Sequence, residues 1–343
     1  MAAELPLCLM PNTIQCEVVN MELIMKLRNI LIVSLAFLVW HTPNSVGEEC
    51  RGVCGALPNE FDKKLEGWDR RFAELEKLEF SSVSIEKAEF NNADVETLII
   101  FEAEILRSNF SSFASTEATI ESSRLTRNTF SFAVIDQATI IRADFEKSIM
   151  NNSDFSESII KQSSFESVNF ASADLSESSI TNSLFTDATL SFADFSESQI
   201  VNNDFVDVTG NNSDFSESTV SDSNFNDSNF SSSDFAKSLI KNCDYTDATL
   251  SFASFAKSEI KNTNFTDAVA NNTDFSKSEI MDVDFSDSNL ASADFSKAKL
   301  INVNFEDADL RFVNFDNAEC ENVTVNQAEM SNVSGDGASN CPF

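Results

Sequence analysis

The sequence predicts an all-β solenoid with four sides to each coil, and two observations carry that prediction. From Glu76 onward every fifth residue is large and apolar, running Phe80, Ile85, Phe90, Val95, Ile100, Ile105, Phe110 and on to Met330, interrupted by Ser115, Gly210, Ala270 and Cys320. Sorting that column in steps of 20 then separates the residue types. One series, from residue 120 to 280, is Ile except Val220, and a second, from Phe145 to Phe305, is Phe except Tyr245. A third, Phe155 to Phe315, is Phe except Leu175, while the fourth, Phe90 to Leu310, mixes Phe and Leu with Met150, Gly210 and Ala270. A period of five matches neither the 3.6 of a helix nor the 2 of a flat strand. Four rows of five bring like residues back over like.

Each row has a second inward position, two places before the large residue, held by small side chains such as Ala88, Ala93, Ser153, Ala173, Ser213 and Ala248. The remaining three positions face out, with Asp or Asn common between the two inward ones, as in Asp154, Asp174 and Asp194. Whole phrases also recur every 60 residues: NNADV at Asn91, NNSDF at Asn151 and Asn211, NNTDF at Asn271, and SFA at Ser131, Ser191 and Ser251. Sixty residues are three coils, so duplication of a three-coil block explains them. The register survives because one inserted residue would turn the apolar ladders outward.

These rows resemble the pentapeptide-repeat family, whose consensus is Ala, then Asp or Asn, then Leu or Phe, then two variable residues. ASADL, ending at Leu175, and ASADF, ending at Phe295, carry the resemblance most closely. It implies a right-handed quadrilateral β-helix over residues 80–335, about 51 pentapeptides or nearly 13 coils. At about 4.8 Å per coil the rod is roughly 60 Å long.

Before the rod, residues 1–47 read as a targeting segment. Lys26 and Arg28 precede the apolar run Ile30 to Trp40, and Ser45 and Gly47 would flank a cut before Glu48. That is the order of a secretory signal peptide over residues 21–47, although a buried helix fits the same run. The run is shorter than the roughly 20 residues of a membrane span, so the processed chain is not expected to be an integral membrane protein. Secretion, a periplasm or an organelle lumen all fit such a signal. Residues 1–20 precede it awkwardly, which suggests a start at Met21 or Met25 or a longer presequence.

Residues 48–79 are read as a linker and capping helix, because Phe61, Leu65, Trp68, Phe72 and Leu75 recur at spacings of four and three. Trp68 would close the apolar end of the core, as a solenoid requires. A short tail, 336–343, follows the rod. Cys50 and Cys54 could pair with each other or with Cys341, which could pin the tail, whereas Cys243 and Cys320 occupy inward positions and read as buried thiols.

Composition excludes much chemistry. The chain carries 32 Phe, one Tyr, one His and a net charge of −33; removing residues 1–47 removes His41 and leaves −32. No general base stands beside a nucleophile, which argues against an enzyme. Function then falls to the outward residues. Asp187, Asp207, Asp227, Asp247, Asp267, Asp287 and Asp307 form one file, one per coil, and Ca²⁺ is the cation such oxygen ligands would suit. A solvated acidic edge is the simpler reading, and no other cofactor is expected.

A second corner is uncharged from Asn91 to Ser292 and offers Asn151, Asn152, Phe192, Asn211, Asn212, Phe252, Asn271 and Asn272 as docking candidates, with Phe132 also outward. A third file changes sign: Ser-Glu follows Phe155, Leu175, Phe195 and Phe215, but Ala-Lys or Ser-Lys follows Phe235, Phe255, Phe275 and Phe295. Side-by-side or head-to-tail self-association could use that polarity. The reading is an exported, non-catalytic scaffold docking a protein, polysaccharide or mineral surface. The family resemblance raises an alternative, since some bacterial members mimic duplex DNA and bind type II topoisomerases. Residues 80–335 net −28, roughly one charge per 2 Å of rod against about one per 1.7 Å in DNA. Export sets the chain apart from such a target, and binding to nucleic acid itself is not expected.

Overall fold

The computed structural model describes the backbone of residues 4–8 and 16–20 and then residues 64–342. The predicted signal segment, Phe61, Cys50 and Cys54 lie outside the described residues. Strands β1 (Glu4–Cys8) and β2 (Cys16–Asn20) pair antiparallel, Glu4 opposite Asn20.

The rest is the expected parallel solenoid. It opens with β3 (Lys64–Glu66), β4 (Glu74–Ser81), β5 (Ser84–Glu86), β6 (Asp94–Phe101), β7 (Glu104–Leu106) and β8 (Ala114–Glu121). From β9 (Thr139–Ile141) to β18 (Glu319–Glu321) one strand recurs in each turn of 20 residues. Every pairing is parallel and shifted by one turn, as in Ile160 beside Ile180. One side stacks 13 strands, β4, β6 and β8 through β18. The other sides are joined by single bridges at the same shift, such as Glu104–Arg124, Asn109–Thr129 and Ala114–Val134.

Residue type explains which side becomes strand. The 13-stranded side carries the Ile ladder, and β-branched side chains favour extended backbone. Another side is strand in β3, β5 and β7, where Leu65, Ile85 and Ile105 stand, reduces to bridges from Leu125 on, and is strand again where β16 and β17 continue through Val283–Asp284 and Val303–Asn304. Inside, the phenylalanines stack at the coil spacing: Phe195 on Phe215 at 4.8 Å and 4°, Phe235 on Phe255 at 4.8 Å and 2°. The interrupted ladder at Gly210 has a cause above it, for a Cβ there would lie 2.3 Å from the Phe230 ring. Small inward serines stay paired although buried. Ala138 N–H donates to Ser158 Oγ (2.9 Å), and Ser198 Oγ–H donates to the Leu175 carbonyl (3.0 Å).

Two expectations need correction. Residues 64–79 are not a capping helix, and no helix occurs among the described residues. Leu65, Leu75 and Phe80 already stand on the five-residue register, so the segment pairs with the coil above it through Lys64–Ser84 and Leu75–Val95. Trp68 nevertheless closes the core, from a small inward slot. Its ring meets Phe90 edge-on at 5.6 Å and Phe80 at 6.0 Å, and the Arg70 guanidinium lies over its face at 4.6 Å. Cys320, expected as a free buried thiol, is disulfide-bonded to Cys341 with Cα atoms 4.9 Å apart. A separation of 21 residues is one turn plus one, which brings the two side chains together and pins the tail.

Candidate functional surface

At each corner two residues turn outward between rows. From Ser122 to Asn332 the second of them always has a left-handed φ, between 48° and 64°. That conformation suits Asn and Asp and costs other L-residues roughly 1–2 kcal/mol. Lys77, Thr97 and Glu117 escape it because β4, β6 and β8 run straight through their corner. The rod therefore displays four files of turn residues, and their order along the chain sets their order around the square.

The uncharged corner is the most regular. Its left-handed residues run Phe72, Asn92, Ser112, Phe132, Asn152, Ser172, Phe192, Asn212, Ser232, Phe252, Asn272, Ser292, Phe312, Asn332, a three-part cycle without an error. The five phenylalanines are 59–73% exposed and stand three coils apart, about 14 Å. Phe132, Phe192 and Phe252 are where the sequence places them. Phe72 was hidden in the supposed helix stripe, and Phe312 beyond the uncharged stretch; stepping by 60 from Phe132 in both directions finds them.

The Asn pairs divide. Asn152, Asn212 and Asn272 are exposed on the corner, whereas Asn151, Asn211 and Asn271 are half-buried braces. Ser131, Ser191 and Ser251, each just before a corner phenylalanine, donate to their Oδ1 atoms at 2.7, 2.8 and 2.6 Å. In the first block Arg71 stands where that serine would, and Asn91 Oδ1 is buried without a partner among the described residues. Arg71 turns instead to Asp69 at 2.7 Å, as Arg311 turns to Asp309 at 2.7 Å beside Phe312. Those guanidiniums hold Asp69 and Asp309 below the usual carboxylate range by hydrogen bonding.

The file Asp187, Asp207, Asp227, Asp247, Asp267, Asp287, Asp307 is exposed, one carboxylate per coil. Among the described residues no group of three or more acidic, Cys or His side chains converges as a metal site. The inner aspartates behave differently. Asp154 Oδ1 accepts from Ser156 N–H (3.0 Å) and Oγ–H (2.7 Å), and Asp174 does the same with Ser176, which makes them turn braces. Lower on the acidic corner the sign inverts, because Lys87, Arg107, Arg127 and Lys147 precede the seven aspartates. A depression of about 210 Å³ opens among Arg107, Arg124, Arg127 and Glu146. The diagonally opposite corner runs the other way, from Glu157, Glu177, Glu197 and Glu217 to Lys237, Lys257, Lys277 and Lys297.

A parallel four-sided coil with a five-residue unit defines a repeat-protein class, and comparison with known proteins agrees. A profile of the pentapeptide repeat region matches residues 238–315, and an eight-copy pentapeptide-repeat profile matches 140–176 and 163–199. Residues 140–199 and 238–315 thus match the pentapeptide-repeat family, and they lie inside the continuous solenoid. No curated protein matches it by sequence. Among solved structures it is similar to HetL, a pentapeptide repeat protein involved in heterocyst differentiation regulation from the cyanobacterium Nostoc sp. strain PCC 7120. Identity is 16% over 66% of this chain and 90% of that one, with a TM-score of 0.28. It is likewise similar to full-length QnrB1, a plasmid-mediated fluoroquinolone resistance protein, at 16% identity, 50% and 93% coverage and a TM-score of 0.31. A pentapeptide repeat protein from the Arabidopsis thaliana thylakoid lumen is 25% identical over 26% of this chain and 64% of that one, at a TM-score of 0.22.

Proposed function

We propose that the protein is a non-catalytic scaffold that docks a partner protein through its Phe–Asn–Ser corner, in an extracytoplasmic compartment reached through residues 21–47. The observation that carries this reading is the placement of five exposed phenylalanines in left-handed turns at a constant three-coil interval. Such a side chain is doubly unfavourable there, since it strains the backbone and leaves an aromatic ring in water. Asn, which the same corner uses on other rungs, would relieve both costs. A repeated arrangement that opposes stability fits a surface shaped for contact, with rings as anchors and small neutral residues between them to let a partner approach.

The topoisomerase-inhibitor alternative has weaker support. Duplex DNA presents unbroken negative charge, whereas two of this rod's corners each carry four consecutive cationic rungs. The test is a Phe192→Asn, Phe252→Asn double variant used in cross-linking pull-downs from the native source. Partner recovery should fall at least about tenfold, equivalent to some 1.4 kcal/mol, while circular dichroism stays unchanged and the melting temperature does not fall. Unaltered recovery of the same partners would remove the corner from consideration.

A further inference from the structure

The corner that changes from Glu to Lys is self-complementary in charge. Its left-handed residues are Glu157, Glu177, Glu197 and Glu217, then Lys237, Lys257, Lys277 and Lys297, all at least partly exposed turn residues with φ of 55–62°. The other outward residue of each of these turns is small and neutral, Ser156 through Ser216, then Ala236, Ala256, Ser276 and Ser296. Nothing bulky therefore shields the charges from an approaching surface. Lys237 pairs with Glu217 at 2.6 Å where the sign changes, but Lys257, Lys277 and Lys297 make no ion pair among the described residues.

We propose that two copies of the chain pair antiparallel, this corner against itself, across a two-fold axis. Turning one rod end over end about the level of residue 227 sets Glu157 opposite Lys297, Glu177 opposite Lys277, Glu197 opposite Lys257 and Glu217 opposite Lys237. The symmetry repeats each contact, giving eight opposite-charge pairs and no like-charged pair among these corner residues. The contact is isologous and closes at the dimer. A parallel pair through the same corner at the same level would put Glu on Glu and Lys on Lys throughout.

The acidic corner has a similar sign change, but its cations are less available. Lys87 is paired with Glu66 at 2.6 Å, Arg107 with Glu86 at 3.0 Å, and Lys147 with Glu146. The Glu/Lys corner is also a true corner only from Gln137 onward, where its left-handed turns begin, and the proposed overlap uses that part of the rod. The geometry has a consequence for docking. The two-fold axis lies perpendicular to the rods and along the direction in which the Phe–Asn–Ser corner points, since that corner lies between the two charged ones. Both copies then present their phenylalanine files on one side of the dimer.

Salt should act in two regimes. Each rod is strongly negative, and this long-range repulsion is screened once the Debye length falls to about 10 Å at 0.1 M. The contact pairs persist there and weaken near 1 M, where that length is about 3 Å. The experiment is light scattering of the full chain at both salt concentrations, with two charge-reversed variants, K237E/K257E/K277E/K297E and E157K/E177K/E197K/E217K. Wild type should be dimeric at 0.1 M and monomeric at 1 M. Each variant alone should be monomeric and normally folded by circular dichroism, and their equimolar mixture should restore the dimer. The second variant is less negative overall than wild type, so its failure to pair would not be general repulsion. A wild-type monomer at both concentrations, a variant that dimerises alone, or a mixture that stays monomeric would each overturn the proposal.

Discussion

Phe192 and Phe195 stand three residues apart and live in opposite surroundings. Phe195 is fully buried, stacked on Phe215 at 4.8 Å, whereas Phe192 is 61% exposed on a left-handed turn. The side chain is the same, so position in the five-residue register decides its role. An inward slot removes water from whatever occupies it, whereas an outward slot gives a large side chain no burial in return for its backbone strain and makes its shape and charge available to a partner.

The largest expected effect breaks this pair apart. Phe195→Ala should lower unfolding free energy by about 3–5 kcal/mol in a denaturant titration, because it leaves a ring-sized cavity in a continuous stack. Phe192→Asn in the same assay should be neutral or slightly stabilising, since Asn tolerates the left-handed turn. Equal losses would mean that the corner phenylalanines are structural after all.

Tyr245 sharpens the contrast with a polar tip in an inward slot. It stacks between Phe225 at 4.6 Å and Phe265 at 4.9 Å, and its hydroxyl is buried without a hydrogen-bond partner among the described residues. Tyr245→Phe should therefore raise stability by about 1–3 kcal/mol, the cost of an unsatisfied buried hydroxyl, read as a higher melting temperature. A lower one would show that the hydroxyl is bonded in solution.

The smallest effect concerns Cys243, whose thiol is pushed up by burial to about 12 from an ordinary 9.0. The unfolded chain loses that proton first, so stability is full below pH 9.0 and declines as pH rises toward 12. Near pH 10 the wild type should have lost about 1 kcal/mol relative to a Cys243→Ala variant referenced to neutral pH. Parallel pH profiles for the two proteins would contradict the buried, protonated thiol.

The repeat itself determined a great deal from sequence. The register of five, the turn of 20, the inward ladders and the outward files all follow from local periodicity, because a solenoid places every residue by its distance from the previous turn. The uncharged corner and Phe132, Phe192 and Phe252 were readable for that reason. What only the tertiary structure decided lies where one spacing serves two geometries or where contacts cross turns. Leu65, Trp68, Phe72 and Leu75 satisfy a helical stripe, and it is pairing with the coil above that makes them strand and turn. Asn151 and Asn152 look alike in sequence, yet the first position of the turn is half-buried, where Asn151 accepts from Ser131 one turn away, and the second is left outside. Cys320 and Cys341 meet because they stand one turn plus one residue apart, in a chain end that the inward-slot rule alone left as a free thiol. Periodicity fixes where a side chain stands, but hydrogen bonds and covalent links between turns decide what remains free to act.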